Sequence, residues 1–484
     1  MGQNHLSNQL PLIAIVSVTR NRCELLMRLY SQLGSLNYPK ELIDIYLVDS
    51  ASTDDTVKNV QRYFPKVNLI TSGEILGIAA GFNTAIQAAL NAEQDYRYIW
   101  LLDDDAEIDS QTLIPLVETA EKDPNIAVVG SAVYEPVQRS KLITAGLNLD
   151  WKKSNISFHV PRTDSAEDVF DVALIPACSS LTRAELYKKF GLWDRRFWLY
   201  WGDTEWCTRM LRKGCRICCD TRSRVWHRNW SNIKPDFYFP SILHDRIRSA
   251  LLFNLLYNPQ HSIQGVRYLI AKSYLKAAFE NLTTRPNFSR AYHEGVQDFL
   301  RGDFSKKDFS SWYDGLEMGS LEEICRSLSA KISKKPRIIL NQIDDEAQKE
   351  KIKEVFQNYF DRVEWEEIPV KSIDASDRFR EYLSFHIPQL MIRLLTFYKK
   401  RDVIISPVEV SYLYNIAAAR YTLLLNASSL CCLRENRILK GFADLFRTII
   451  KGLKVVYIEF PNALKSHSTL KESNAVYSSL ENNE

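Results

Sequence analysis

Short apolar runs alternate with amphipathic stretches through the first hundred residues of the chain. Pro11 to Val18 and Ile43 to Val48 read as strands, and Val67 to Thr71 as a shorter one. Between them, Cys23 to Leu36 carries apolar residues at helical spacing. Asp54 to Phe64 predicts a second helix, opened by the Ser52/Thr53/Asp54 cluster. After a loop with Gly73 and Gly77, Phe82 to Asn91 predicts a third helix, and Tyr98 to Leu102 is an unbroken apolar run expected to be a buried strand. This order implies a mostly parallel sheet with helices on both faces.

From about Tyr257 to Lys331 the pattern turns helical. Lys335 to Leu340 then reads as a strand, Glu346 to Tyr359 as a helix, and Val403 to Ile405 and Tyr421 to Leu425 as further strands. These predict a small α/β module whose role the pattern does not disclose. Arg434 to Lys454 predicts an amphipathic helix whose stripe runs through Ile438, Leu439, Phe442, Leu445, Phe446, Ile449, Ile450 and Leu453. Two uses are open for that stripe: docking on the module core, or lying on an anionic membrane surface, because Arg434, Arg437, Lys440, Arg447, Lys451 and Lys454 sit largely off it. The tail from Leu464 is polar. The expected division is 1–258, 259–330, 331–463 and a flexible tail 464–484.

A chain of 484 residues with 45% hydrophobic and 25% charged side chains is a folded protein of more than one core. A net charge of +3 gives no electrostatic case for nucleic acid. Met1 to Gln9 is polar, without the apolar stretch of a signal peptide, and no run reaches membrane-span length. With nine cysteines, an odd number, reduced thiols and a cytoplasmic location are expected, possible membrane contact through 434–454 aside. Cys215 and Cys218 have C-x-x-C spacing, but zinc needs about four ligands and no second such pair exists, so buried thiols are expected there.

The chemistry starts at Asp103-Asp104-Asp105, directly behind the Tyr98–Leu102 strand. Three adjacent carboxylates repel unless a cation shares them, and strand carboxyl ends are where ligands bind in open α/β sheets. Asp103 and Asp105, two apart, can face one hard divalent ion. An isolated D-x-D is more often a solvated acidic turn. Six of the ten tryptophans fall between Trp193 and Trp230. Core packing is expected for Trp193 and Trp206, and a sugar-binding face for Trp201 and Trp230.

Several segments in order carry a family resemblance. They are Val16-Ser-Val-Thr-Arg-Asn21, Val48-Asp-Ser-Ala-Ser-Thr-Asp54, Gly77-Ile-Ala-Ala-Gly-Phe-Asn83, Asp103–Asp105, Trp201-Gly-Asp-Thr-Glu-Trp206 and Val225-Trp-His227. Over roughly residues 11 to 258 the chain resembles glycosyltransferase family 2, inverting GT-A enzymes that use nucleotide-diphosphate sugars. The resemblance implies a GT-A fold, a Mn²⁺ or Mg²⁺ site at Asp103, Asp105 and His227, and a general base at Asp203. Glu205 is the alternative base or an acceptor-orienting group, and Gly202 departs from the acid common at its position. It further implies donor contacts from Thr19, Arg20, Asp49, Gly77, Gly81, Asn83, Asp103 and Asp104, with a uracil or thymine ring at Asp49. His244 has no matching context and is expected to be structural.

Trp226-His-Arg-Asn-Trp230 and Asp245-Arg246-Ile-Arg248 look most like galactofuranosyltransferases, with rhamnosyltransferases next. The expected partners are a UDP- or TDP-linked sugar and a glycan or lipid-linked acceptor of cell-surface polysaccharide synthesis. A sugar-nucleotide nucleotidyltransferase or a non-catalytic glycan-binding scaffold of the same fold are the competing readings. The first would place glycines and basic residues right after the first strand, where Thr19-Arg20-Asn21 has no glycine. The second would have lost the acids.

Overall fold

The structure is a computed structural model. It describes residues 10–151, 155–160, 168–227, 239–258, 262–282, 286–309, 317–341, 343, 345–368, 403–407, 421–425, 431–435 and 438–466. Trp230, much of the span between β15 and β17 and the tail from 467 lie outside that set.

The N-terminal sheet begins with β1 (Ile13–Thr19), β2 (Ile43–Ser50) and β3 (Asn68–Ser72), linked by α1 (Cys23–Leu33) and α2 (Thr56–Tyr63). Next come α3 (Ile78–Leu90), β4 (Tyr98–Leu102), β5 (Glu107–Ile108), α4 (Leu113–Lys122) and β6 (Ile126–Tyr134). A connection of β7 (Leu142–Thr144), β8 (Leu147–Asp150), β9 (Asn155–Phe158) and β10 (Val169–Asp171) leads to β11 (Ser179–Arg183) and α5 (Ala184–Phe190). α6 (Gly202–Arg212) and β12 (Arg216–Trp226) complete this unit. The sheet order is β10-β12-β6-β11-β4-β1-β2-β3, with β5 on β12 and β7 on β6.

From β3 to β4 every pairing is parallel, and β11 runs antiparallel between β4 and β6. β1 and β4 bury all their residues, as fits strands covered on both faces. Two apolar clusters lie on either side of the sheet. One holds α3 and α6 side chains such as Phe82 and Trp206, the other α1 and α4 side chains such as Leu26 and Leu116. α3 starts at Ile78, four residues before the expected Phe82, because its first turn is a small-residue run that packs without large apolar side chains. Cys218 and Cys219 are buried within β12, whereas Cys215, expected to be buried as well, is partly exposed just before it.

Helices α7 (Phe239–Tyr257), α8 (Ser262–Leu282) and α9 (Pro286–Arg301) follow and share one core. Phe253 of α7 stacks on Trp151 and packs on Trp201, which ties these helices to the sheet unit. Next come β13 (Glu317–Gly319), α10 (Leu321–Ser329), β14 (Arg337–Asn341), α11 (Glu346–Gln357) and β15 (Glu364–Ile368). β16 (Val403–Pro407), β17 (Tyr421–Leu425) and β18 (Cys431–Glu435) complete a second sheet of order β13-β18-β17-β16-β14-β15, parallel from β15 to β17.

Arg434, expected to open the amphipathic helix, instead lies in β18, since Cys431–Glu435 pairs with β17. The helix is α12 (Ile438–Lys454), continued by a π-helical turn (Val455–Glu459) and α13 (Phe460–Ser466). It packs on α8 rather than on the module core: Gly452 lies against Tyr274, and Val455, Val456 and Phe460 join the α7–α9 cluster. A stripe of apolar residues specifies that a helix docks but not on what.

Candidate active site

Parallel register brings the carboxyl ends of β1, β2 and β4 to one edge, with Thr19 opposite Asp49 and Val16 opposite Leu101. Three loops leave that edge. Asn21 of the first loop accepts the Thr53 N–H of the second at 2.7 Å, and its own N–H donates to the Ser52 hydroxyl at 2.9 Å. Asn21, Ala51 and Trp201 are the described non-glycine residues with positive φ, at 52°, 56° and 74°. All three sit at this edge or at the start of α6. Such backbone strain is costly, and it collects where a site needs it.

The acidic run sits at the end of β4. Asp104 is buried and accepts the Thr19 hydroxyl at 2.7 Å and the Arg22 guanidinium at 2.8 Å. The same Arg22 nitrogen reaches Asp105 at 2.9 Å. The chain then turns, Ala106 N–H to the Asp103 carbonyl, and β5 pairs antiparallel with the end of β12. That pairing delivers His227, the residue after β12, onto the acids. Its Nε2 lies 2.9 Å from Asp105 Oδ1 and 3.5 Å from Asp103 Oδ2.

Burial raises the Asp103 pKa, with Asp105 and Asp104 adding to it against His227 and Arg22. Burial also works to raise Asp105, but the His227 hydrogen bond and charge, with Arg22, outweigh it and hold that carboxyl below its usual range. For His227 burial disfavours the charged ring, and the Asp105 hydrogen bond and the two aspartate charges overcome it, so its pKa is raised. The acidic run is thus flanked by the Arg22 guanidinium on one side and the His227 ring on the other.

Asp103, Asp105 and His227 each offer a ligand atom, and the three atoms lie within 4.8 Å of one another. Two carboxylate oxygens and an imidazole suit Mn²⁺, and the oxygens suit Mg²⁺. The residues fit a divalent ion.

Asp203 lies in the first turn of α6. Its carboxylate accepts the Thr204 N–H at 2.7 Å and the Ala177 N–H at 3.3 Å. Burial raises its pKa against those hydrogen bonds. It shares surroundings with the triad: the buried Cys178 thiol is pushed up by burial and then by the charges of Asp103, Asp105 and Asp203. Glu205, two residues along in the same turn, is enclosed. It accepts Arg209 Nε at 2.8 Å and the Tyr257 hydroxyl at 2.6 Å on one oxygen, and Arg209 Nη2 at 3.0 Å on the other. Arg209 in turn donates to the Phe190 and Leu192 carbonyls. The Glu205 carboxylate is thus committed to joining α6 to α7.

The remaining expected donor contacts divide. Asp49 is buried, with one oxygen on the Ser52 N–H at 3.0 Å and the other, Oδ1, without a hydrogen-bond partner. A buried carboxylate oxygen left open is costly unless a ligand donor meets it. Arg20 is exposed at the rim. Gly77 caps α3, where a Cβ would come within 2.3 Å of the Trp198 carbonyl. Gly81 allows α3 to close on β1, since a Cβ there would meet Val18 at 2.6 Å. The Asn83 amide clamps the Trp193 backbone, donating at 2.8 Å and accepting at 2.9 Å. Trp201 packs on Phe253 with ring centroids 5.0 Å apart. His244 pairs with Asp298 between α7 and α9, away from the acidic run. Arg22 went unnoticed in the sequence reading; a basic residue directly after Thr19-Arg20-Asn21 was the available signal.

A family model described as "Glycosyl transferase family 2" matches residues 14–172. The matched stretch carries Asp49 and all three aspartates, while Asp203 and His227 lie beyond it. Among solved structures, TarS of S. aureus (residues 1–349) is 15% identical, with 60% of this chain and 80% of that one covered and a TM-score of 0.40. The mannosyltransferase PcManGT from Pyrobaculum calidifontis, solved with GDP-Man and Mn²⁺, is 16% identical over 60% of this chain and 88% of that one, with a TM-score of 0.38. GalNAc-T7, solved with UDP, GalNAc and Mn²⁺, is 15% identical over 63% of this chain and 57% of that one, with a TM-score of 0.40. No curated protein matches the chain.

Proposed function

We propose that the chain is a metal-dependent, inverting glycosyltransferase that moves a sugar from a UDP- or TDP-linked donor to a hydroxyl of a glycan or lipid-linked acceptor. Galactofuranose is the preferred donor sugar and rhamnose the second, on the residues around His227 and Asp245. Cell-surface polysaccharide synthesis in the cytoplasm is the setting that suits such a donor. The catalytic unit is residues 1–258; the helices that follow take the π-helical turn and α13 into their core, and the second sheet forms a separate module.

One observation carries the reading. Three ligand atoms for a divalent ion, from Asp103, Asp105 and His227, converge on the edge where Asp203 is held with raised basicity. A bound ion there supplies positive charge beside the leaving diphosphate. Asp49, through its open Oδ1, accepts an N–H of the uracil or thymine ring. Arg20 stands at the rim for the diphosphate. Asp203 accepts the proton of the acceptor hydroxyl as that oxygen bonds the anomeric carbon. The carbon–oxygen bond to the diphosphate breaks, and its electron pair leaves with the nucleotide. A single displacement inverts the anomeric centre. Trp201 forms an apolar wall for the sugar rings.

The nucleotidyltransferase reading is disfavoured by the loop after β1: it has no glycine, and the Thr19 hydroxyl is committed to Asp104. The scaffold reading is disfavoured by the open, buried oxygen of Asp49 and the retained acids. Thermal-shift titration with UDP and TDP, each with and without Mn²⁺, tests the proposal. Stabilisation that needs both nucleotide and metal is expected. Equal stabilisation in chelator would overturn it, and a panel of nucleotide sugars then identifies the donor.

A further inference from the structure

The helical stretch from α12 through the π-helical turn into α13 has two apolar faces, and among the described residues only one is buried. Gly452, Val455, Val456 and Phe460 face the helical core, where Phe460 packs on Phe299. On the other side Phe446, Ile450, Leu453 and Tyr457 stand 63%, 66%, 54% and 69% exposed. Their spacing of four, three and four residues makes one stripe along the helix. Ile458 adds to it in the π-helical turn. α8, against which this helix packs, exposes Tyr268 and Leu275 as well.

Single exposed apolar residues are ordinary; a row of this kind marks a surface that is covered by something. The polar residues between them are cationic. Arg447 and Lys454 are largely exposed, at 80% and 62% of their side chains, and Lys451 is exposed beside them. Asp444 and Glu459 are the acids of the same stretch, each contacted by one of these cations. On α8, Lys272 and Lys276 are exposed too.

We propose that this face of α12 lies on an anionic lipid surface, the apolar stripe entering the headgroup boundary and the cations meeting the lipid phosphates. The charge pattern selects this occupant over a second copy of the chain. In a two-fold interface the same patch meets itself, so the cationic set Arg447, Lys451 and Lys454 would be brought against a second copy of that set. None of the described helices is long and apolar enough to cross a membrane, so the contact is one of lying on the surface.

The test is sedimentation of the full chain with phosphatidylcholine vesicles, with and without phosphatidylglycerol. Binding is expected to anionic vesicles and to weaken with salt. The triple variant Phe446→Ser/Ile450→Ser/Leu453→Ser should lower the partition coefficient roughly tenfold or more. Arg447→Gln/Lys451→Gln/Lys454→Gln should lower it by a similar factor on anionic vesicles only. Both variants should retain nucleotide binding, because none of these residues lies at the carboxyl edge of the first sheet. Hydrogen exchange on the unaltered chain gives a second reading that needs no variant, with residues 446–458 gaining protection when anionic vesicles are added. Absence of vesicle binding overturns the proposal. So does binding that neither triple variant weakens, unchanged exchange in 446–458, or a concentration-dependent dimer that the apolar variant dissolves.

Discussion

Two of the sheets in the chain are built on one plan, and among the described residues only the first gathers a candidate site. In the first, β1 sits between β2 and β4; in the second, β14 sits between β15 and β16. Each is a point where strand order reverses, the place where open α/β sheets bind ligands. At the first, the described residues include the buried acids Asp49 and Asp104, the triad with His227, and strained Asn21 and Ala51. At the second, the Asp345 carboxylate is spent on capping α11, accepting the Ala347 and Gln348 N–H groups. Lys349 and Lys353 pair with Glu367 on the surface. Among the described residues the module has no buried polar side-chain atom left open and no positive-φ residue. Equal topology does not give equal chemistry: what separates the sheets is a buried acidic cluster, with one Asp49 oxygen left open, and strain at the strand ends.

The largest effect that should sharpen this contrast is at the base. Asp203→Asn should lower turnover by about two to four orders of magnitude with nucleotide binding retained, measured by single-turnover transfer. Because burial raises the Asp203 pKa, the folded chain keeps that proton to a higher pH than an ordinary aspartate. Activity should therefore fall as pH drops through a value above about 4, and the limb should vanish in Asp203→Asn.

Next in size, Glu205→Gln tests whether its enclosure is structural. Removing one partner of a buried ion pair should cost on the order of 3 kcal/mol in denaturant unfolding, with turnover per folded molecule nearly unchanged. A loss of turnover without loss of stability would return Glu205 to the reaction. Arg22→Ala removes a cation that contacts Asp104 and Asp105, so Mn²⁺ binding without nucleotide should strengthen several-fold in calorimetry. The smallest effect belongs to the module. Asp345→Ala should cost about 1 kcal/mol through the lost helix cap and leave transfer untouched.

What the sequence disclosed follows the range of the interactions involved. Tyr98–Leu102 and the aspartates behind it were readable because strand and acids are adjacent. β6 went unassigned, and the geometry that places His227 on Asp105 depends on β5 pairing with β12, more than a hundred residues away. Only the family resemblance anticipated that histidine. Glu205 could have been read differently, since Arg209 four residues on is the spacing of a helical ion pair. Asn83 could not, because its partner Trp193 is distant in sequence and is held through backbone atoms.

The most direct test is pulsed electron paramagnetic resonance of Mn²⁺ added to the chain with UDP. A coupling from one imidazole nitrogen is expected, lost in His227→Ala, with Mn²⁺ affinity falling at least about tenfold in Asp105→Ala. A spectrum without nitrogen coupling, or Mn²⁺ binding that survives both substitutions unchanged, would contradict the assignment of these residues to a metal.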